Sequence, residues 1–163
     1  AEILKRRYHV SVTGAFTVQE EIGMRGSATA AYSVNPDLAI VIEGTFASDV
    51  PDTKEEYYCT TLGRGPAITF MDMTYIFQKK LFDRVLSIAR RNNIRFQLKR
   101  TAFGGTDGGR IQITREGIPT IIISVPCRYI HSPVSLAKIE DIQNTIRLVD
   151  AIIIDFQERG FSL

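Results

Sequence analysis

Apolar and polar residues change their period several times along this chain, and each change marks an element. After a short helix-like tail at residues 1–7, Val10, Val12, Phe16 and Val18 alternate with His9, Ser11, Thr13 and Thr17, which predicts a strand over 8–18. Gly23 and Gly26 then turn the chain into a small-residue helix over 27–33 that Asn35-Pro36-Asp37 stops. Residues 38–42, Leu-Ala-Ile-Val-Ile, form a continuous apolar run, as expected of a strand covered on both faces. A long polar connection follows over 44–65, then a short strand over 67–70. Phe77, Leu81, Phe82, Val85, Leu86 and Ala89 recur at helical spacing and predict a helix over 74–92, and residues 95–99 alternate as a strand. The glycine-dense stretch 104–109 opens a helix through 114 that Gly117-Ile118-Pro119 ends. Residues 120–125 are a second wholly apolar strand, and 138–159 form a long amphipathic helix stopped by Gly160.

Strands alternating with helices, two of the strands apolar on both faces, predict the α/β class: a three-layer α/β/α sandwich around a mostly parallel central sheet. Such sheets bind ligands beyond the carboxyl ends of their strands. The residues expected there are Glu20, Glu21, Glu43, the turn Gly104, Gly105, Thr106 and Asp107, and Arg128 through His131. They should converge on one edge of the sheet.

Composition narrows the setting. With 44% hydrophobic and 23% charged residues, 163 residues read as one globular domain that needs no disulfide or structural metal to hold a core. Twenty basic against 18 acidic residues leave a net charge of +2 with the cations scattered, which argues against nucleic acid as a partner. No apolar run approaches the ~20 residues that span a bilayer, and the charged start lacks the apolar stretch of a signal peptide. Cys59 and Cys127 lie far apart with no C-x-x-C pairing, so a reducing cytoplasm is the expected compartment.

Several residues on the expected edge could carry chemistry. Glu20 and Glu21 are adjacent, so both enter one site only if the extended backbone ends there. Two such carboxylates can divide the work of a hydrolytic metal site, one binding the ion and one taking a proton; a solvated acidic turn is the alternative. Glu43, at the mouth of a buried strand, needs either an Arg or a metal ion as partner. His131, joined with Glu21 and Glu43, completes an oxygen-and-nitrogen set suited to Zn²⁺, Co²⁺ or Mn²⁺. The 104–109 turn lacks the Lys-Ser/Thr ending of a phosphate loop. It fits a backbone that approaches a substrate closely, with Thr106 and Asp107 offering polar contacts, or else a turn that only caps its helix. No G-x-S-x-G elbow is present, and Cys127 has no evident activating partner.

Val18-Gln19-Glu20-Glu21-Ile22-Gly23-Met24-Arg25-Gly26, Gly104-Gly105-Thr106-Asp107-Gly108-Gly109, Gly117-Ile118-Pro119-Thr120 and the segment Ser124 to Pro133 with its Arg128-Tyr129-Ile130-His131 core closely resemble the tetrahedral (TET) aminopeptidases. This is the glutamyl aminopeptidase family, whose members often carry the label cellulase M or endoglucanase. The resemblance implies peptide substrates, two divalent ions with a bridging water, and a homo-oligomer, a dodecamer in that family. By position it implies Glu20 as general base, Glu21 and His131 as ligands of one ion, and Glu43 as a ligand of the second. The family also has an upstream His, an upstream bridging Asp and an inserted dimerisation domain, none of which can be placed here. Residues 1–163 are therefore expected to be the carboxyl-terminal part of a single metallopeptidase catalytic domain. Either a longer chain completes the enzyme, or this is a catalytically incomplete scaffold subunit. If the chain holds further ligands, Asp49, Asp72 and Asp107 are the first suspects.

Overall fold

The structure, a computed structural model, describes residues 1–161. A 3-10 turn at Ile3–Lys5 opens the chain. The regular elements are α1 (Arg25–Val34), β1 (Ala39–Phe46), β2 (Ala67–Ile68), α2 (Lys79–Arg91), β3 (Gln97–Leu98), α3 (Asp107–Gln112), β4 (Thr120–Arg128), β5 (Leu136–Ala137) and α4 (Ile139–Arg159). The strands form one sheet in the order β1-β4-β2-β3, with β5 paired to the end of β4. Its longest ladder, β1 on β4, is parallel from Ala39↔Thr120 to Phe46↔Cys127; β2–β3 is parallel, and the short β2–β4 and β4–β5 pairings are antiparallel.

β4 organises the core. Ile121, Ile122 and Ile123 are wholly buried, and the period of two sends Ile122 to one face of the sheet and its neighbours to the other. α3 lies on the Ile122 face so closely that a Cβ on Gly108 would sit 2.5 Å from the Ile122 side chain, and α1 packs on α3. α2 and α4 pack on each other, and α4 packs on β4, burying Leu81, Val85, Leu86, Ile88, Leu148, Ile152 and Phe156. The three layers are those the alternation of elements predicts. Most elements stand where the pattern puts them, α1, α4 and β4 foremost.

Four expectations need correction. Residues 8–18 form no strand: the alternation is present, but no neighbouring backbone among the described residues supplies a ladder. Instead the segment runs over α4, with the Tyr8 hydroxyl donating to Asp150 (2.7 Å) and the His9 amide to Gln157 (2.7 Å), and beyond it Phe16 and Val18 stand 84% and 66% exposed. β1 is not covered on both faces: Val41 is buried, but Ile42, which points to the opposite face, is exposed, and the strand also lies at the edge of the sheet. It also runs through Glu43 to Phe46, so Glu43 lies within the strand, not at its mouth. Finally, α2 starts at Lys79 because residues 70–77 fold back on themselves, the Phe77 amide donating to the Phe70 carbonyl and the Asp72 amide to the Tyr75 carbonyl. Phe77 is buried as its spacing demands, but from this turn and not from a helix.

Candidate active site

Glu20 and Glu21 sit in a closed turn. The amides of Gly23 and Met24 donate to the Glu20 carbonyl (3.1 and 2.8 Å), that of Arg25 to the Gln19 carbonyl (3.2 Å), and that of Gly26 to the Val18 carbonyl (3.0 Å). Only glycine fits at 26, since a Cβ there would lie 2.6 Å from both the amide nitrogen and the carbonyl oxygen of Val18. Gln19 (φ 58°) and Met24 (φ 54°) adopt the left-handed region, which breaks the extended run and keeps the two adjacent carboxylates from pointing to opposite sides of a strand.

The same backbone signature recurs a hundred residues on. Just past β4, Tyr129 (φ 60°) and His131 (φ 63°) are both left-handed. The end of β4 is anchored by Arg128, whose guanidinium makes a two-pronged pair with Asp49 at 2.9 and 3.0 Å while Asp49 also accepts the Leu62 amide at 3.0 Å. Burial pushes the Asp49 carboxyl up, but Arg128 and the amide outweigh it and hold it below its ordinary value. From this anchored end His131 brings Nε2 to 3.5 Å from Glu21 Oε1, with its ring beside Phe46 at 5.7 Å between centroids. Both side chains are largely exposed, and the separation is too long for a good hydrogen bond.

Glu43 is paired in register with Ser124, whose hydroxyl donates to its Oε1 at 3.1 Å. Burial pushes the Glu43 carboxyl up to about 7; the Ser124 hydroxyl and Lys99 pull it down, while Glu20 and Asp72 push it further up. Its partner within this chain is thus neither an Arg nor a fixed cation but a neutral hydroxyl. Glu20 is likewise raised, first by partial burial, then by Glu21 and Asp107, against the opposing effect of His131.

In the 104–109 turn the Thr106 hydroxyl accepts the Gly108 amide at 3.2 Å and caps α3. Asp107 is buried; Oδ2 accepts the Thr17 hydroxyl at 2.6 Å, and Oδ1 has no partner. Thr17 thereby ties this turn to the strand-like approach of Glu20. Of the suspects, Asp49 is occupied by Arg128 and Asp72 by threonines, leaving Asp107 as the one with a bare oxygen. The sequence does not single out Ser124, Thr17 or Thr74 for chemistry, whereas Asp72, one of the suspected further ligands, is met here by hydroxyls and an amide instead. The signal available for Ser124 is a polar residue within an otherwise apolar buried strand. Cys127, whose thiol burial pushes up, is the reverse of an activated nucleophile.

Glu21 and His131 present a carboxylate oxygen and an imidazole nitrogen to each other, which fits part of the shell of a divalent ion such as Zn²⁺. Among the described residues no group of three His, Cys, Asp or Glu could hold a metal ion by itself. The donors fit, and the set is incomplete.

Comparison with known proteins identifies the family and the fold. The family model described as M42 glutamyl aminopeptidase matches residues 1–148. The lysyl aminopeptidase of Pyrococcus furiosus is 35% identical over 147 residues, which cover 90% of this chain and 41% of that protein. Among solved structures, the aminopeptidase of the archaeon Desulfurococcus kamchatkensis superposes with a TM-score of 0.86 at 38% identity, over 90% of this chain and 42% of that one. The TET peptidase of Pyrococcus horikoshii, described as able to assemble into a tetrahedron or a large octahedral shell, gives a TM-score of 0.70 at 32% identity over 85% and 39%. The chain therefore spans about two fifths of the length of these relatives. With that fold and nearly the whole length matched, the chain belongs to the M42 glutamyl aminopeptidase family.

Proposed function

We propose that this chain is the carboxyl-terminal part of the catalytic domain of a metal-dependent aminopeptidase that removes amino-terminal residues from peptides. The observation that carries the reading is the meeting of Glu21 and His131 at 3.5 Å, from turns 110 positions apart, with Asp107 close enough to Glu20 to help raise its carboxyl. Glu21 and His131 are the residues to hold one ion, and Glu43, from the adjoining strand, to contribute to a second; Zn²⁺, Co²⁺ and Mn²⁺ all suit such donors. When bound, two divalent ions supply Lewis acidity to a water and to the peptide carbonyl.

The chain's own residues do the rest. Glu20 takes a proton on its carboxylate from the attacking water, a task suited to a carboxyl whose affinity for protons is already raised by burial and by Glu21 and Asp107. Gly104 and Gly105 let the backbone of the turn approach the peptide, and Thr106 and Asp107 orient it. The remaining ligands come from polypeptide outside this chain, as does an inserted dimerisation domain. The complete protein forms a homo-oligomer, as the Pyrococcus horikoshii relative does, and works in the cytoplasm. A second reading, a catalytically incomplete scaffold subunit, draws on the short ligand set.

The test uses the complete protein. Glu20→Gln keeps the shape of the side chain and removes the proton acceptor, so bound metal is retained while turnover of an aminoacyl p-nitroanilide falls about 10²–10⁴-fold. His131→Ala removes a ligand and loses metal and activity together. If the intact protein releases no amino-terminal residue with any of the three metals, or if Glu20→Gln turns over normally, the scaffold reading replaces the enzyme.

A further inference from the structure

The stretch between β2 and α2 is the part of the site edge that neither the motifs nor the proposed ligand set uses. Asp72 there is 5% exposed, yet it lies in a fold-back turn whose neighbours Met71 and Met73 are exposed. It is withdrawn from water without a cation. Its Oδ1 instead accepts the Thr74 amide (2.7 Å) and the Thr74 hydroxyl (2.9 Å), and its Oδ2 accepts the Thr106 hydroxyl (3.3 Å). Thr106 in turn accepts the Gly108 amide (3.2 Å), so one carboxylate is connected through one hydroxyl to the first turn of α3.

Two further features seat the same pair of segments. The Met73 amide donates to the Gly104 carbonyl at 2.9 Å, which fixes the left-handed Gly104 (φ 79°) from outside its own turn. Thr74 packs so tightly on the turn that a Cβ on Gly105 would lie 2.8 Å from Thr74 Cγ2, and one on Gly109 2.5 Å from Thr74 Cβ. These glycines are thus required by Thr74 and not only by whatever approaches the turn from outside. A buried acid stripped of water loses more by giving up its donors than it gains by moving, so the contact is rigid while all three donors are in place.

We propose that Asp72 is a positioning residue: through Thr74 and Thr106 it clamps the Gly104–Asp107 turn against residues 72–74 and so holds the surface that seats the substrate. This rests on the peptidase reading for its consequence, though not for the clamp itself. Acting by hydrogen bonds, the clamp tolerates an amide in place of the acid. The Asn oxygen can accept from Thr74, and its NH₂ can donate to the Thr106 hydroxyl, which turns to suit.

The experiment compares Asp72→Ala with Asp72→Asn in the complete protein, on an aminoacyl p-nitroanilide. Asp72→Ala is expected to raise KM about tenfold or more, with kcat changed less than about threefold and bound metal unchanged, because the turn seats substrate and does not hold metal. Asp72→Asn should stay within about threefold of the parent in both constants. The proposal is overturned if Asp72→Ala leaves KM unchanged, if it loses metal, or if Asp72→Asn is as impaired as Asp72→Ala, since the charge would then be what matters. Should Asp72→Ala not fold, Gly105→Ala decides. It presses on Thr74 and should raise KM, and Thr74→Ser in the same chain, which removes the offending methyl and keeps the hydroxyl, should recover most of the loss; additive effects overturn the clamp. Hydrogen exchange at the Gly108 amide separates the clamp from the peptidase reading. It should be faster in Asp72→Ala, or in Gly105→Ala, than in Asp72→Asn even if the parent cleaves no aminoacyl substrate.

Discussion

Asp155 and Glu43 are both carboxylates withdrawn from solvent, and the molecule treats them in opposite ways. On the helical layer, Asp155 meets three arginines: Arg84 Nε at 2.8 Å, Arg91 Nη2 at 2.5 Å and Arg159 Nε at 3.2 Å, with Arg84 also stacked 3.8 Å over the Phe156 ring. At the site edge, Glu43 has one neutral hydroxyl, Asp107 has a bare oxygen, and Glu21 faces His131 without closing on it. A buried acid without donors costs free energy, so a sequence that can surround Asp155 with cations leaves the edge short for a reason other than a lack of arginine. Left-handed residues occur in both regions, as Asn93 after α2 shows, and four of them lie in the edge turns. Gln19, Met24, Tyr129 and His131, all in the left-handed region, flank the edge residues, where unfavourable φ values are held by the surrounding turns. Saturated acids hold architecture here, and the unsaturated ones lie on the edge that the proposed function assigns to a ligand.

The sharpest way to break this contrast is to remove the saturated acid. Asp155→Ala leaves three guanidinium groups facing one another beside α4. Arg91 and Arg159 are 42% and 64% exposed and can turn to water, whereas Arg84, at 18%, cannot easily do so. The cost should therefore fall at the low end for a broken buried pair, about 3 kcal/mol, measured by urea unfolding, with metal binding unaffected. A cost under about 1 kcal/mol would show that saturation does not mark a structural role.

The same contrast explains what could be read in the sequence. β4 and α4 were legible because each is set by a local period that the core then uses: three successive isoleucines buried on both faces, and an apolar stripe from Leu148 to Phe156. The candidate edge was legible because strand ends and glycine turns are local signals too: Glu21 and His131 come to 3.5 Å, and Glu20 lies within electrostatic reach of Glu21, Asp107 and His131. What could not be read depends on partners distant in the chain. Residues 8–18 have a strand's alternation but no neighbouring ladder, and β1 has an apolar sequence but only one neighbour, β4. No spacing rule tells that Glu43 will face Ser124 or that Asp72 will reach Thr106, because register and loop closure decide both.

An effect no larger, and of opposite sign, is expected at Glu43. Its carboxyl holds a proton up to about pH 7 in the folded protein, against an ordinary value of 4.5. Between those limits the unfolded chain binds fewer protons than the folded one, so without metal stability falls as the pH rises through that window. Glu43→Gln keeps an oxygen for the Ser124 hydroxyl and removes the titration. With a chelator present, parent and variant should be equally stable near pH 4, and the variant should be more stable by up to about 3 kcal/mol near pH 8. Parallel stability curves across that range would mean that Glu43 is not strained by burial, and the edge would then differ less from the helical layer than its geometry indicates.

The smallest effect on folding, and the most specific to the edge, belongs to Glu21. Glu21 and His131 are 72% and 56% exposed at a separation of 3.5 Å, so their mutual attraction is screened by water, and Glu21→Gln should change the stability of the metal-free protein by less than about 0.5 kcal/mol. Adding Zn²⁺ separates the two possibilities for such a pair. An ion that binds the folded state alone stabilises it in proportion to the logarithm of its concentration over Kd, so the parent complete protein should gain thermal stability as Zn²⁺ is raised. Glu21→Gln replaces a charged oxygen donor with a neutral one and should lose most of that gain while its metal-free melting stays that of the parent. If the variant keeps the whole Zn²⁺-dependent gain, the pair is an ordinary surface contact. If it melts well below the parent before any metal is added, the pair is structural, like the arginines around Asp155, and the division between the two regions fails at the residue on which the metal assignment most depends.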